Sequence, residues 1–248
     1  MTMSYPYESD RSILRRVGGS EQVTFVYCGV GLMLFHMARA ESSRMGFVLA
    51  GGKSSRMGAN IDKAFLDFRG QTLLDRALAV MSTVCGRVTI VGDPAKFAQY
   101  RSSEWEPVVG DIFPGCGPLA GIHAALVHSR ADFNLMLAVD MPFVSSELLA
   151  FLFATAQDED NDAIITVPRT RGGFQPLCAI YRRDFSLAAE QALRAGKYKV
   201  DAAFSGVAVR VIEEDELAAA GFSERSFFNV NTPQDRLAAE GRDLDSPS

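Results

Sequence analysis

Closely spaced glycines followed by isolated cations give this sequence its clearest capacity for chemistry. The segment LAGGKSSRMG, residues 49–58, holds three glycines and Arg56, and Lys63 follows shortly after it. Glycines let backbone N–H groups approach phosphate oxygens, and consecutive N–H groups form an anion-binding nest. Arg56 and Lys63 add cationic donors that suit a triphosphate. The segment therefore predicts a phosphate-binding loop, although it lacks the Gly-Lys-Ser/Thr ending of a P-loop.

A carboxylate is predicted to face the same ligand. Asp140 directly follows residues 133–139, a continuous apolar run typical of a strand buried on both faces. The carboxyl ends of such parallel strands face the crevice in which α/β folds bind ligands. Carboxylate oxygens are the hard ligands that Mg²⁺ prefers beside phosphates. We therefore expect Asp140 to hold Mg²⁺, the alternative being a helix-capping or turn aspartate.

Two further loops are predicted to line the site. Residues 115–121, GCGPLAG, contain Gly117 just before a proline that suits the first turn of a helix. This loop would form the wall of a base or ribose pocket, with Asp111 accepting hydrogen bonds. In residues 228–235, FNVNTPQD, two asparagines offer neutral oxygens, and Asn231 is the predicted second metal ligand. A local role in a turn or helix cap is the equal alternative for Asp111 and for the asparagines.

The elements that position these loops alternate as strand, loop and helix with short connections, which predicts an α/β fold: a mostly parallel sheet with helices on both faces. The chain becomes less regular after residue 170. Expected strands or extended pieces are 47–50, 64–68, 87–91, 107–109, 133–139, 163–167, 176–181 and 207–212. Expected helices are 73–81, 119–128, 146–156, 184–195 and a short piece near 200–204.

Composition narrows the class of protein further. Apolar residues make up 48% and charged residues 22%, which excludes a largely disordered chain. A net charge of −5 argues against general binding to nucleic acid or to an anionic membrane, while leaving room for a local basic pocket. The four cysteines form no C-x-x-C pair, so we expect reduced thiols in a cytoplasmic protein rather than a zinc site.

Residues 1–45 are predicted to be an N-terminal extension outside the fold, residues 46–240 the folded domain, and residues 241–248 a flexible tail. The apolar run 23–38 follows two arginines and precedes Ala-Arg-Ala, which also permits a secretory signal. It is too short and too interrupted for a spanning helix. We favour an upstream extension, with Met37 as the true start. A chain beginning at Met37 is expected to fold and to be fully active, and loss of folding would contradict this.

Taken in order, the motifs resemble those of the molybdenum cofactor guanylyltransferases. The matching segments are LAGGKSSRMG with Lys63, GPLAG, AVDMP, QPLCAIYR and FFNVNTPQD, over about residues 46–237. The related cytidylyltransferases usually carry a second alanine in place of Gly51. The resemblance implies a Rossmann-like nucleotidyltransferase fold for residues 46–240. It also implies transfer of GMP from GTP to the terminal phosphate of the molybdopterin cofactor, with release of pyrophosphate.

The resemblance also implies roles residue by residue. Backbone groups near Gly51 would contact guanine, Lys63 would meet the phosphates, and Asp140 would hold Mg²⁺ and nucleotide. Some relatives place an asparagine where this chain has Gly92-Asp93, and one of these two residues would replace that contact. The expected nucleotide-binding set is Leu49, Ala50, Gly51, Gly52, Lys63, Asp111, Gly117 and Asp140; the catalytic set is Arg56, Lys63 and Asp140; the metal set is Asp140 and Asn231.

The expected partners are GTP, the molybdopterin cofactor and a receiving molybdoenzyme or its chaperone, with neither nucleic acid nor membrane. Charge and position suggest an acceptor pocket lined by Arg169, Arg171, Gln175 and Arg182. A cytidylyltransferase or a sugar-1-phosphate nucleotidyltransferase on the same fold is the alternative enzyme. A nucleotide-binding regulatory module without turnover is the alternative from a different class.

Overall fold

The computed structural model describes residues 44–51, 62–100, 108–232, 234, 235 and 237. They form a seven-stranded sheet between two layers of helices, with a small hairpin beside it. The strands are β1 Arg44–Leu49, β2 Asp67–Phe68, β3 Gln71–Thr72, β4 Arg87–Val91, β5 Phe133–Ala138, β6 Ile165–Thr170, β7 Gly173–Phe174, β8 Cys178–Arg182 and β9 Val209–Ile212. The helices are α1 Leu73–Ser82, α2 Pro118–His128, α3 Ser146–Ala156, α4 Phe185–Arg194 and α5 Glu214–Ala219. Short 3₁₀ turns cover Lys63–Phe65, Ala98–Tyr100, Asp201–Ala203 and Glu224–Phe227.

The main sheet is mostly parallel, as predicted. Its order is β4-β1-β5-β8-β6-β7, and β9 pairs with β6. Strand β1 is parallel to both β4 and β5, and β6 is parallel to β9. Strand β8 runs antiparallel to both of its neighbours, β5 and β6. Five strands therefore share one direction, and their carboxyl ends meet at one edge of the sheet.

Helices cover both faces of the sheet, which explains the continuous apolar sequence of β5. Helices α1, α3 and α5 pack on one face, where Met81, Phe153 and Leu217 are buried. Helices α2 and α4 pack on the other, where Ile122 and Phe185 are buried. Two of the helices have side-chain caps: the hydroxyls of Thr72 and Ser145, which precede α1 and α3, accept N–H groups of the first turn.

The segment 64–68 differs from its prediction. Its first part forms a 3₁₀ turn rather than an extended piece, because the Asp62 carboxylate accepts a hydrogen bond from the Ala64 N–H at 3.0 Å. Only Asp67–Phe68 is extended, as β2 of the hairpin with β3. Helix α5 and the 3₁₀ turn Glu224–Phe227 were not predicted, since both lie in short polar stretches.

The predicted N-terminal extension and C-terminal tail stay predictions. Strand β1 begins at Arg44, two residues before the expected domain boundary, and Met45 is buried in the core. The predicted extension up to residue 43 and the tail 241–248 lie outside the described residues. Among the residues that are described, no helix has the length and hydrophobicity needed to cross a membrane.

Candidate active site

Three distant segments of the chain bring Lys63, Asp140 and Asn231 together at the carboxyl edge of the sheet. The Lys63 ammonium lies 3.4 Å from Asp140 Oδ2 and donates to Asn231 Oδ1. Lys63 opens a 3₁₀ turn, Asp140 follows β5, and Asn231 lies close to the end of the described chain. The Val230 N–H donates to the Asp140 carbonyl at 2.8 Å, which joins the last two segments. The carboxylate and the asparagine predicted as metal ligands therefore face one point.

Two opposite effects act on the pKa of the Asp140 carboxyl. Burial raises the pKa of the Asp140 carboxyl, while the charge of Lys63 and its hydrogen bond lower it. The ionised carboxylate therefore depends on a cation at this position. Carboxyl groups whose pKa is raised by burial and lowered by a specific charged partner are common where a protein binds ligands or catalyses reactions.

The residues that hold Lys63 and Asn231 in place were missed by sequence reasoning. Asp62 caps the turn of Lys63 and also forms an ion pair with Lys96. The Asp235 carboxylate accepts a hydrogen bond from the Asn231 N–H at 2.9 Å. This contact fixes the backbone that carries the Asn231 side-chain amide. An aspartate directly before a lysine, and another four residues after an asparagine, are capping patterns that could have revealed both.

The turn after β1 lies beside this site, and the sheet already uses part of its backbone. The Ala50 N–H donates to the Val91 carbonyl at 2.9 Å, and the Leu49 carbonyl accepts from the Val139 N–H at 3.2 Å. A base contacted by Leu49 and Ala50 would have to use their remaining backbone groups. Gly51 faces the next strand end, since a Cβ built on it would lie 3.9 Å from Gly92 Cα. The predicted Gly52 and Arg56 lie outside the described residues.

Gly117 and the first turn of α2, which together form the GPLAG segment, lie beside Asp111 and the end of β1, as the predicted base pocket requires. A Cβ built on Gly121 would lie 3.5 Å from Leu49 Cδ2 and 3.8 Å from Asp111 Oδ1. Asp111 is at the surface, but the partial burial of its carboxyl raises its pKa. Gly117 precedes α2 with φ of +76°, a conformation that favours glycine. A larger residue at position 121 would fill the space between Leu49 and Asp111.

Gly92 and Asp93 both have structural roles, and the ligand contact expected of one of them stays a prediction. The Gly92 N–H donates to the Val109 carbonyl at 2.9 Å, and the Asp93 carboxylate accepts the Ala95 N–H at 2.9 Å. A Cβ on Gly92 would lie 2.7 Å from the Phe97 ring, so the position requires glycine. Both groups are engaged within the protein.

The expected acceptor pocket does not form as one unit. Arg169 and Arg171 lie at the carboxyl edge but pair with Glu213 and Glu214. Arg182 belongs to the antiparallel strand β8 and is paired in register with Phe133, at the start of β5 and thus at the opposite edge from Asp140. Its assignment to this pocket was wrong, because the sequence does not reveal that β8 runs backwards.

The comparisons agree with the geometry. A family model described as the MobA-like NTP transferase domain matches residues 46–211. The chain belongs to this family. It is therefore a nucleotidyltransferase with a Rossmann-like fold.

Named relatives extend this likeness over most of the chain. A probable molybdenum cofactor guanylyltransferase of Pelotomaculum thermopropionicum is 37% identical over 78% of this chain and 90% of its own length. A molybdenum cofactor guanylyltransferase of Desulfosudis oleivorans is 32% identical over 79% of this chain and 93% of its own. The solved molybdopterin-guanine dinucleotide biosynthesis protein A of Archaeoglobus fulgidus is 27% identical, with a TM-score of 0.67 over 82% of this chain and 100% of that one. A cytidylyltransferase of Thermus thermophilus, 20% identical with a TM-score of 0.56 over 80% of this chain and 98% of that one, shares the fold.

Proposed function

We propose that this protein transfers GMP from GTP to the terminal phosphate of the molybdopterin cofactor. An oxygen of the acceptor phosphate would form a bond to the α-phosphorus of GTP, and the bond to the β-phosphate would break, releasing pyrophosphate. The observation that carries the proposal is the meeting of Lys63, Asp140 and Asn231 beside the Gly51 turn. Relatives named molybdenum cofactor guanylyltransferase support the choice of nucleotide and acceptor.

The residues present fit a Mg²⁺ ion. Within the part of the chain that the structure describes, no three His, Cys, Asp or Glu side chains converge, so a site rich in such ligands is not available there. Asp140 and Asn231 instead offer two hard oxygen donors that already contact one ammonium group. When bound, Mg²⁺ would neutralise charge on the phosphates during transfer.

The protein's own groups would mainly position the two substrates and neutralise the charge of the phosphates. Lys63, and Arg56 of the segment 49–58 predicted to bind phosphate, would donate to phosphate oxygens and stabilise the charge of departing pyrophosphate. The guanosine pocket would be bordered by Gly51, Asp111 and Gly117. The nucleophile is already an anionic phosphate, so alignment supplies most of the acceleration and no strong general base is needed.

The test is pyrophosphate release from GTP, CTP, ATP and UTP in Mg²⁺ buffer, each nucleotide alone, with the molybdopterin cofactor and with sugar 1-phosphates. We expect release only with GTP plus acceptor, together with a guanine dinucleotide product identified by mass. A preference for CTP with this acceptor would make the protein a cytidylyltransferase. Pyrophosphate release with sugar 1-phosphates would make it a sugar-1-phosphate nucleotidyltransferase. GTP binding without release would indicate a regulatory module. We place the reaction in the cytoplasm, with the product passing to a molybdoenzyme or its chaperone.

A further inference from the structure

The 3₁₀ turn that carries Lys63 packs against a second turn, residues 92–100, which follows β4 and which we call the β4 turn. Phe65, the last residue of the 3₁₀ turn, packs on Phe97 of the β4 turn with ring centroids 5.7 Å apart. The Phe97 ring is fully buried and also covers Gly92, where a Cβ would lie 2.7 Å from it. The β4 turn therefore supports the turn of Lys63 at the carboxyl edge of the sheet.

An ion pair joins the same two turns. The Lys96 ammonium of the β4 turn contacts Asp62 Oδ2, and the two side chains are only 24% and 32% exposed. The ammonium also lies 4.6 Å from the ring centroid of Phe97 and 5.9 Å from that of Phe65. Aromatic faces attract cations, so one carboxylate and two rings hold Lys96 in one position.

The two oxygens of the Asp62 carboxylate have different partners. Oδ1 accepts a hydrogen bond from the Ala64 N–H at 3.0 Å and so caps the 3₁₀ turn, while Oδ2 pairs with Lys96. A cap of this kind needs only an acceptor oxygen, which a neutral amide also provides. The cap therefore does not require the negative charge of Asp62, and that charge is matched by Lys96.

The charge of Asp62 matters for the active site because Asp62 directly precedes Lys63. A carboxylate attracts a nearby ammonium group, and the lysine side chain is long and flexible enough to turn toward a neighbouring residue. Lys63 instead lies 3.4 Å from Asp140 Oδ2 and donates to Asn231 Oδ1. An Asp62 carboxylate without Lys96 would compete with Asp140 for the Lys63 ammonium.

We propose that Lys96 is a positioning residue, which neutralises Asp62 and thereby keeps the Lys63 ammonium directed at the active site. The ion pair and the faces of two rings place Lys96 for this task, since both favour a cation over a neutral side chain. The effect on the orientation of Lys63 depends on these contacts alone. Its consequence for turnover rests on the proposed function, in which Lys63 donates to phosphate oxygens.

The orientation of Lys63 can be tested without any substrate. The ¹⁵N resonances of the lysine ammonium groups report the contacts of each group, and the signal missing in Lys63→Met identifies that of Lys63. We expect the Lys63 resonance to shift in Lys96→Met and to return close to its wild-type position in Lys96→Arg, which keeps the charge. A Lys63 resonance that is unchanged in Lys96→Met would overturn the proposal.

The decisive variant removes the competing charge and keeps the cap. Asp62→Asn still offers a side-chain oxygen to the Ala64 N–H, but it no longer attracts an ammonium group. Because Lys96 acts by neutralising Asp62, the double variant Asp62→Asn/Lys96→Met should recover the Lys63 resonance and the activity that Lys96→Met loses. Losses that persist or add in the double variant would show a merely structural role of Lys96 and would overturn the proposal.

Kinetics measure the consequence for turnover. Lys96→Met should lower kcat by about tenfold to a hundredfold, because a small misplacement of a catalytic group has effects of this size. In the Lys63→Met background the same substitution should change kcat by less than about twofold, since no ammonium group remains to be misplaced. Equal effects in the two backgrounds would overturn the proposal. The matched control is Arg210→Met, which removes the ion pair with Glu216 between β9 and α5 and should leave kcat unchanged.

The two proposals fail separately. If no nucleotide and acceptor pair gives turnover, but Lys96→Met shifts the Lys63 resonance and Asp62→Asn restores it, the proposed reaction is wrong and the positioning role stands. If turnover occurs with GTP and the molybdopterin cofactor while Lys96→Met keeps the wild-type kcat and Lys63 resonance, the reaction stands and the positioning role is wrong.

Discussion

Strand β5 carries a polar side chain near each end, and the two are held in opposite ways. Asn134, near its start, is fully buried, and its amide nitrogen donates to the carbonyls of Ala131 and Tyr181 at 3.2 and 3.1 Å. Its Oδ1 accepts from the Ser129 hydroxyl. Asp140, just past the other end, is a carboxyl group whose pKa is raised by burial and lowered by the charge and hydrogen bond of Lys63.

The difference separates a group that builds the fold from one that serves a ligand. A neutral amide whose donors and acceptor are satisfied joins β5 to β8 and to the preceding loop. A carboxylate held where burial disfavours its charge stabilises little and leaves oxygens free for a metal. We therefore expect substitutions at Asn134 to lower stability but not turnover, and substitutions at Asp140 to do the reverse.

Asp140→Asn should give the largest effect. With the proposed metal ligand lost, kcat should fall by about 10³-fold or more. Stability should not fall, because the raised pKa means that the ionised carboxyl is disfavoured in the folded state. That cost is present above the folded-state pKa and disappears as pH falls through it. Melting in metal-free buffer should therefore show the variant equal to or above the wild type near pH 8, with the difference shrinking in acid.

The matched control for Asp140→Asn is Asp184→Asn. This exposed aspartate precedes α4 at the opposite edge of the sheet, and its side chain makes no capping hydrogen bond. It should keep wild-type kcat and melting temperature. An Asp140→Asn protein that is strongly destabilised, or that retains Mg²⁺-dependent turnover, would remove the distinction between the two ends of β5.

Lys63→Met should come next. Loss of one preorganised cationic donor is expected to lower kcat by about 10²- to 10³-fold, measured as pyrophosphate release at saturating substrates. Lys63→Arg should restore part of the loss, since charge remains but the donor geometry changes. Lys197→Met, at an exposed lysine, is the control and should leave kcat unchanged. Equal losses in the Met and Arg variants would show that shape rather than charge matters at Lys63.

Much of this arrangement could be predicted from the sequence, because it depends on local patterns. An apolar run followed by Asp140 predicts a buried strand with a carboxylate at its end. The meeting of the turn after β1 with Asp140 followed from one rule, that the carboxyl ends of parallel strands share an edge of the sheet.

The rest depended on contacts between distant segments. The direction of β8 is set by its pairing with β5 and β6, which no local pattern encodes, so Arg182 was placed at the wrong edge. The 3₁₀ turn at Lys63 follows from the Asp62 cap, which was not predicted from the sequence. Asn134 gave no sign of its role, since its partners lie in a loop and in β8.

Asn134→Leu should lower stability and leave chemistry intact. The carbonyls of Ala131 and Tyr181 would lose their buried donor, and the Ser129 hydroxyl its acceptor, at a cost of about 2–3 kcal/mol in the free energy of unfolding. Denaturant unfolding measures this, and kcat per folded molecule should stay within about twofold of the wild type. A loss of kcat comparable to that of Lys63→Met would mean that the two ends of β5 are coupled.

Ser129→Ala should give the smallest effect and sharpen the comparison. The Ser129 hydroxyl both donates to Asn134 Oδ1 and accepts the Ala131 N–H at 3.0 Å, so its loss leaves an acceptor and a donor unpaired. We expect about 1 kcal/mol less stability, with kcat unchanged. Because one of its two contacts is with Asn134, its effect should become smaller in the Asn134→Leu background, where only the contact with the Ala131 N–H remains to be lost, as a double-mutant cycle would measure. Additive losses would show that the hydroxyl stabilises the turn by itself, and the network at the start of β5 would then be two separate contacts.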